Sequence, residues 1–164
     1  MRKHVLAVIG LMLLLCLLAA LGTASGSPGT FTVNSTADPG DGTCDATECT
    51  LREAISAANA NPGSDTIAFN IFITDTGYMV SGITGTWTIS LTASLPTLSG
   101  GATIISGTTQ AAFTSGDPNP DGPEIEIAGV DMGSGNCLTI TSANNVVDGL
   151  VINRCPLSGI LNPW

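Results

Sequence analysis

Positive charge is nearly missing from this chain. Arg2, Lys3, Arg52 and Arg154 are its only Lys or Arg residues, against thirteen Asp and Glu. Past residue 24 two arginines face all thirteen acids, a net charge of −11, with no Lys and no His. No patch is present that could neutralise a phosphate backbone, which argues against nucleic acid as a partner. An anionic membrane or polysaccharide is repelled in the same way unless a divalent cation intervenes. With His4 the single His, a Ser-His pair cannot form beyond the first residues, however many Ser and Thr are present. Aromatics are scarce too: two Trp, one Tyr and four Phe. An interior built from this composition is filled by Ile, Val and Leu.

The first 24 residues read as a leader rather than as part of a fold. Arg2, Lys3 and His4 form a basic start, Val5 to Leu21 is almost unbroken apolar sequence, and Gly22-Thr23-Ala24 offers small residues for cleavage. That is the pattern of a secretory signal peptide over 1–24. The rival is an uncleaved anchor, but the run is at the short edge of a membrane span. Cys16 lies inside the run after Leu15, a poor setting for lipidation. Cleavage after Ala24 would leave 140 residues, one domain's worth of chain and enough for a core. The mature form is then expected to be secreted, extracellular or held at the cell surface, without a membrane segment.

Four cysteines remain: Cys44, Cys49, Cys137 and Cys155. An even number in an exported chain favours disulfides. Cys44 and Cys49 are the natural local pair. Cys137 and Cys155 either bond to one another or are two buried thiols. A zinc site would need further ligands, with no His left and with spacing unlike that of zinc sites.

Behind Cys49 a short helix is written locally. Thr50 is a good N-cap and Glu53 stands three residues later, the arrangement of a capping box. Leu51, Ala54, Ile55 and Ala58 fall on one face, and Asn61-Pro62-Gly63 stops the helix. About ten residues, roughly 15 Å, is too short to be stable alone, so the face must lie on something apolar. The rest of the chain is short β-branched strands broken by Gly, Asn and Asp: Phe31-Thr32-Val33, Thr66 to Ile71, Thr86 to Leu91, Ala102 to Ile105, Ile125 to Ile127, Leu138 to Ile140, Val146-Val147 and Leu150 to Ile152. No helical segment is expected in the second half. Asn34-Ser35-Thr36 reads as a surface turn, and Asp38 to Gly42 as a turn cluster.

Cys49-Thr50-Leu51-Arg52-Glu53-Ala54 resembles the C-S-L-R-E-A signature, with Thr for Ser. Val33 to Asp38, Ala57 to Gly63 and Asp65 to Asn70 match its surroundings as well. The signature marks the CSLREA-type N-terminal module of secreted bacterial right-handed parallel β-helix (pectate-lyase-like) proteins. The resemblance is specific over Thr30 to Asn70 and looser beyond. It implies a β-helix and export more than it implies an activity.

Two architectures suit strands at this spacing, an antiparallel sandwich and a parallel β-helix. The second is favoured by the cadence Asn144 to Ile152, by the recurrence of Ile105-Ser106-Gly107 as Val147-Asp148-Gly149, and by the few aromatics. The expectation is therefore an all-β, right-handed parallel β-helix, incomplete at about four rungs, with a short N-terminal capping α-helix. Its parts are the leader at 1–24, a capping module at 25–70 and truncated β-helix rungs at 71–164. The helix face would plug one end; the other end carries no visible cap and invites self-association.

Candidate chemistry is sparse. Asp117-Pro118-Asn119-Pro120-Asp121-Gly122 matches the first half of a calcium loop, so Asp117, Asn119 and Asp121 are candidate calcium ligands. Yet position twelve is Ala128, no helices flank it, and a plain acidic turn needs the same residues. Asp38, Asp41 and Asp45 form a second acidic cluster. Arg52 lies in a first helical turn, where the dipole disfavours a cation, so it should be held by Asp45, Glu48 or Asp65, and Thr50, Arg52 and Glu53 are read as structural. No catalytic residues and no cofactor other than calcium are assigned. Enzymes on β-helices act mostly on polysaccharides, with calcium and an Arg or Lys base or with clustered Asp; Arg154 and Asp148 lack such neighbours. The expected role is a non-catalytic adhesive or structural protein with a surface glycan or another protein as partner. The alternative is the N-terminal part of a polysaccharide-acting lyase- or hydrolase-like enzyme with calcium in its acidic loops. A small ligand-binding sandwich is a third reading.

Overall fold

The computed structural model of the protein describes residues 26–114 and 116–163; the leader read over 1–24 lies outside the described residues. Its elements run, in chain order, β1 (Thr30–Val33), α1 (Leu51–Ala60), β2 (Asp65–Phe69), β3 (Tyr78–Ser81), β4 (Thr84–Ser90), β5 (Thr103–Ser106), α2 (Thr109–Phe113), β6 (Ile125–Ala128), β7 (Leu138–Thr139), β8 (Val146–Asp148), β9 (Leu150–Asn153) and β10 (Ile160–Leu161).

The strands form three sheets. The first has the order β1-β2-β5-β8, the second β3-β4-β6-β9, and the third is the pair β10-β7. The first sheet is parallel throughout. The second is mixed, because β3 returns antiparallel on β4 while β4, β6 and β9 are parallel. The third is parallel and is joined by an isolated bridge between Leu98 and Ile140.

Register decides the core. A strand shows alternate residues to opposite faces, so in-register pairing stacks like upon like. In the first sheet Phe31, Ile67, Ile105 and Val147 stand in one row. In the second, Trp87, Ile125 and Leu150 form one row and Ile89, Ile127 and Ile152 the next. Ile67, Ile105, Trp87, Ile89, Ile125 and Ile127 are all at most 1% exposed, each burial contributing about 1.5–3 kcal/mol. Trp87 satisfies its indole N–H on the Phe72 carbonyl at 3.1 Å, and the Tyr78 ring packs 4.5 Å from its ring.

Helix α1 closes one side of this core. Leu51, Ala54, Ile55 and Ala58 are buried in it. Its far end is fastened by Asn59, whose side chain donates to the Thr97 carbonyl and accepts from the Ser99 and Gly100 amides at 2.7–3.0 Å.

The expected right-handed parallel β-helix of about four rungs is corrected by this layout. The sheets hold four, four and two strands and are mixed parallel and antiparallel. Glycine permits the departure: Gly82, at φ 66°, turns Tyr78–Ser81 back as a hairpin instead of sending it on. The expectation that no helix follows in the second half is corrected too. α2 occupies 109–113, and its fully buried Gln110 takes the place of a strand. The Gln110 side chain accepts from the Ile71 amide at 2.9 Å and donates to the Ile71 carbonyl at 2.8 Å.

Two substitutions test this packing. Gln110→Ala strands both Ile71 backbone groups in the core and is expected to cost about 2–4 kcal/mol. Gly107→Ala would bring a Cβ to 1.9 Å from the Gly149 carbonyl oxygen, where neither backbone can yield; a cost of about 1–3 kcal/mol or more is expected. Urea unfolding midpoints check both, and a native-like midpoint for either variant contradicts the assignment.

Candidate functional site

The densest polar region surrounds the turn that feeds α1. Cys44 and Cys49 are bonded, with Cα atoms 4.1 Å apart. The loop between them is tied inward by Asp45, which accepts from the Thr47 and Glu48 amides. It is fixed to the end of β1 by Asn34, whose amide donates to the Cys49 carbonyl and whose Oδ1 accepts from the Cys49 amide. Thr50 caps α1 in a complete capping box with Glu53. Among the described residues, Asp41, Glu48 and Glu53 are the one set of three or more acidic, Cys or His groups with ligand atoms all within 4.8 Å of one another.

The geometry assigns these carboxylates to the backbone. Buried Glu53 accepts from Thr50 N at 2.8 Å and Gly42 N at 2.5 Å. Burial opposes its charge, but these amide hydrogen bonds outweigh it and hold the carboxyl below its ordinary value. Glu48 accepts from the Asp41 amide, and Asp41 from that of Thr43. The cluster expected from the sequence, Asp38, Asp41 and Asp45, is thus redistributed: only Asp41 belongs to this set.

Arg52 is held by Asp38, and not by Asp45, Glu48 or Asp65. The contact is two-pronged, Nε to Oδ1 at 2.7 Å and Nη2 to Oδ2 at 3.0 Å. The remaining guanidinium donors reach the Ser94 and Ala93 carbonyls at 2.7 and 2.9 Å. Asp38 also accepts from the Thr92 amide and hydroxyl. Burial works against its charge, yet Arg52 and Thr92 together hold it below the usual carboxyl range. No sequence signal marks Asp38 as the partner, since it lies fourteen residues before Arg52 and outside its helix.

Asp117, Asn119 and Asp121 lie in one loop between α2 and β6. The Asp117 carboxylate accepts from the Asn119 amide at 2.9 Å, and the Asn119 side chain donates to the Pro123 carbonyl at 2.7 Å. Asp117 also neighbours Glu124, which is 6% exposed. Burial and the Asp117 charge push the Glu124 carboxyl upward, against its own backbone amide. Sequence reading passed over Glu124 because it sits on no motif. Cys137 and Cys155 are bonded, with Cα atoms 5.6 Å apart. Arg154 pairs with Glu126 at 3.0 Å.

A depression of about 600 Å³ opens beside β1 among Phe31, Phe72, Thr30, Thr32, Asn70 and Asp45. It holds no pair of groups arranged as nucleophile and base. Asn70 Oδ1 is buried without a partner among the described residues.

Acid should act on this region with a definite sign. Groups held low in the fold contribute stability above their unfolded values and lose it as pH falls through the folded ones. Stability from Asp38 and Glu53 should therefore decline below about pH 4, and Glu53→Ala should remove about 2–3 kcal/mol at neutral pH by stranding two amides. Glu124 has the opposite sign: its contribution is lost as pH rises, so Glu124→Gln should melt above the native protein at pH 7 and level with it in acid. Melting curves across pH decide both. No family model, curated protein or solved structure matches the chain.

Proposed function

We propose that this is an exported, non-catalytic protein of structural or adhesive type, folded in an oxidising compartment and presented outside the cell. Two disulfides within one small chain fit such a compartment, and no described helix is long and apolar enough to cross a membrane. The leader at 1–24 is the export device in this reading, and the Cys49 to Ala54 stretch marks kinship with CSLREA-type modules.

One observation carries the non-catalytic part. Arg52, the single cation of the signature, has its guanidinium engaged by Asp38 and by two carbonyls. Glu53 is engaged by two amides. The residues that would first be suspected of chemistry brace the helix to its loops. A partner is then recognised by surface, with a glycan or another protein as the class.

The test joins location to turnover. The protein, expressed with its leader, is expected in the medium or surface fraction with no thiol free for alkylation. Incubated with a panel of neutral and acidic polysaccharides, it is expected to release no reducing ends and no unsaturated sugars. Intracellular retention overturns the export reading; product release overturns the non-catalytic one.

A further inference from the structure

We infer that the depression beside β1 is a binding site for a neutral oligosaccharide. The inference rests on the reading of the protein as a non-catalytic surface protein and names the class of its partner. At about 600 Å³ the depression is within the roughly 300–1,000 Å³ of small-molecule sites. Its lining mixes two phenyl rings with hydroxyl, carboxamide and carboxylate groups. Phe72 is 61% exposed and is held edge-on by Phe113, with 5.2 Å between ring centres. Phe31 stands beside Ile67 in the first sheet but is only half-buried. The C–H-rich face of a sugar ring packs on such rings as any apolar body does, while its hydroxyls need polar partners around it.

The other lining groups supply those partners. Thr30 and Thr32, two residues apart on β1, show their hydroxyls to one face of the strand. Asn70 brings a carboxamide whose Oδ1 is buried without a hydrogen-bond partner among the described residues, which costs free energy until a donor arrives. The carboxamide can turn about its Cβ–Cγ bond, and a hydroxyl, which both donates and accepts, answers either end of it. A further wall is made by Cys44, Asp45 and Ala46. It is fixed in advance: the Cys44–Cys49 bond closes it, and the Asn34 side chain donates to the Asp45 and Ala46 carbonyls at 3.4 and 3.3 Å. A wall already ordered spares a ligand that part of the cost of binding.

Charge selects among ligands. Asp45 is the one charged residue of the lining. Arg52 and Arg154, the only Lys or Arg past residue 24, are ion-paired with Asp38 and Glu126 and do not line it. Nothing in the depression answers a carboxylate, sulfate or phosphate, and Asp45 repels all three. A single carboxylate is also too little to seat a divalent cation that could bridge to an acidic sugar. A purely apolar ligand would cover the rings and leave Asn70 and the threonines unmet. A neutral sugar chain suits both.

The test is a titration of the isotope-labelled, oxidised protein, followed through its backbone amide resonances, with cellohexaose, xylohexaose, mannohexaose, maltohexaose, chitohexaose and hexagalacturonate. At least one neutral hexaose should shift the amides of Thr30, Thr32, Asp45 and Phe72, and hexagalacturonate should shift none of them. Phe72→Ala and Asn70→Ala should each weaken binding about fivefold or more. Ile83→Ala, which removes an 85% exposed apolar side chain outside the lining, should bind as the native protein does. The titration of the native protein needs no variant, so misfolding of one leaves the question decidable. No shift with any neutral hexaose, shifts centred elsewhere, or equal binding of hexagalacturonate overturns the inference and leaves the export and non-catalytic readings standing. Shifts of these amides by a Thr-Val hexapeptide and by no sugar overturn it in favour of a protein partner. Cleavage of a bound hexaose overturns the non-catalytic reading and this inference with it.

Discussion

In-register stacking of one strand upon the next is the constraint on which the molecule depends. Each parallel ladder sets one apolar side chain upon another at the same height, as with Ile67 on Ile105 and Ile89 on Ile127, so the core is built from rows. Rows of this kind tolerate few aromatics. The largest fully buried side chain among the described residues, Trp87, sits where a hairpin partner covers it with Tyr78. Rows also have ends, and much of the remaining sequence deals with one of them. Helix α1, its capping box, the first disulfide and the Arg52 brace all serve to seat a small apolar face at that end.

The parts of this that are legible in the sequence are the local ones. The helix at 51–60 can be read because cap, face and stop lie within a dozen residues. Strands β4 and β6 can be read because Trp87 and Ile89, and Ile125 and Ile127, alternate with small or polar residues, and β9 because Leu150-Val151-Ile152 is a short apolar run. What is not legible is which strand meets which. A run such as Tyr78–Ser81 carries no mark saying that it turns back on β4, and the choice rests on a single glycine at Gly82. Nor does Gln110 announce itself: a polar residue near a short helix reads as surface, and only the fold brings it to Ile71, thirty-nine residues away. The mixed sheets that displace the expected parallel coil come from such long-range choices.

The same division applies to the polar residues. Glu53 is legible as a cap partner because its partner is three residues off. Asp38 as the mate of Arg52 is not, because proximity in sequence favours Glu48 and Asp45, whose carboxylates are taken up by nearby amides instead. Asp117 and Asp121 match a calcium pattern in spacing, yet spacing describes ligation only where the backbone curls around a centre. Here Asp117 accepts from the Asn119 amide and neighbours Glu124, while the Asn119 side chain donates to the Pro123 carbonyl.

The two disulfides can be understood from where the rows stop. By loop closure alone, a bridge spanning five residues stabilises by about 2 kcal/mol and one spanning eighteen by about 3 kcal/mol. Neither loop is long, so neither bridge is placed for the greatest entropic effect. Cys44–Cys49 holds the turn that delivers α1 to one end of the core. Cys137–Cys155 ties the start of β7 to the exit of β9, at the end where burial fades. Parallel strands reach their partners only through long connections, and the outermost strands have a neighbour on one side alone. A covalent tie at each end therefore acts where the ladders themselves are weakest. That placement fits an exterior environment, where ends left to fray are open to proteolysis and to adventitious pairing.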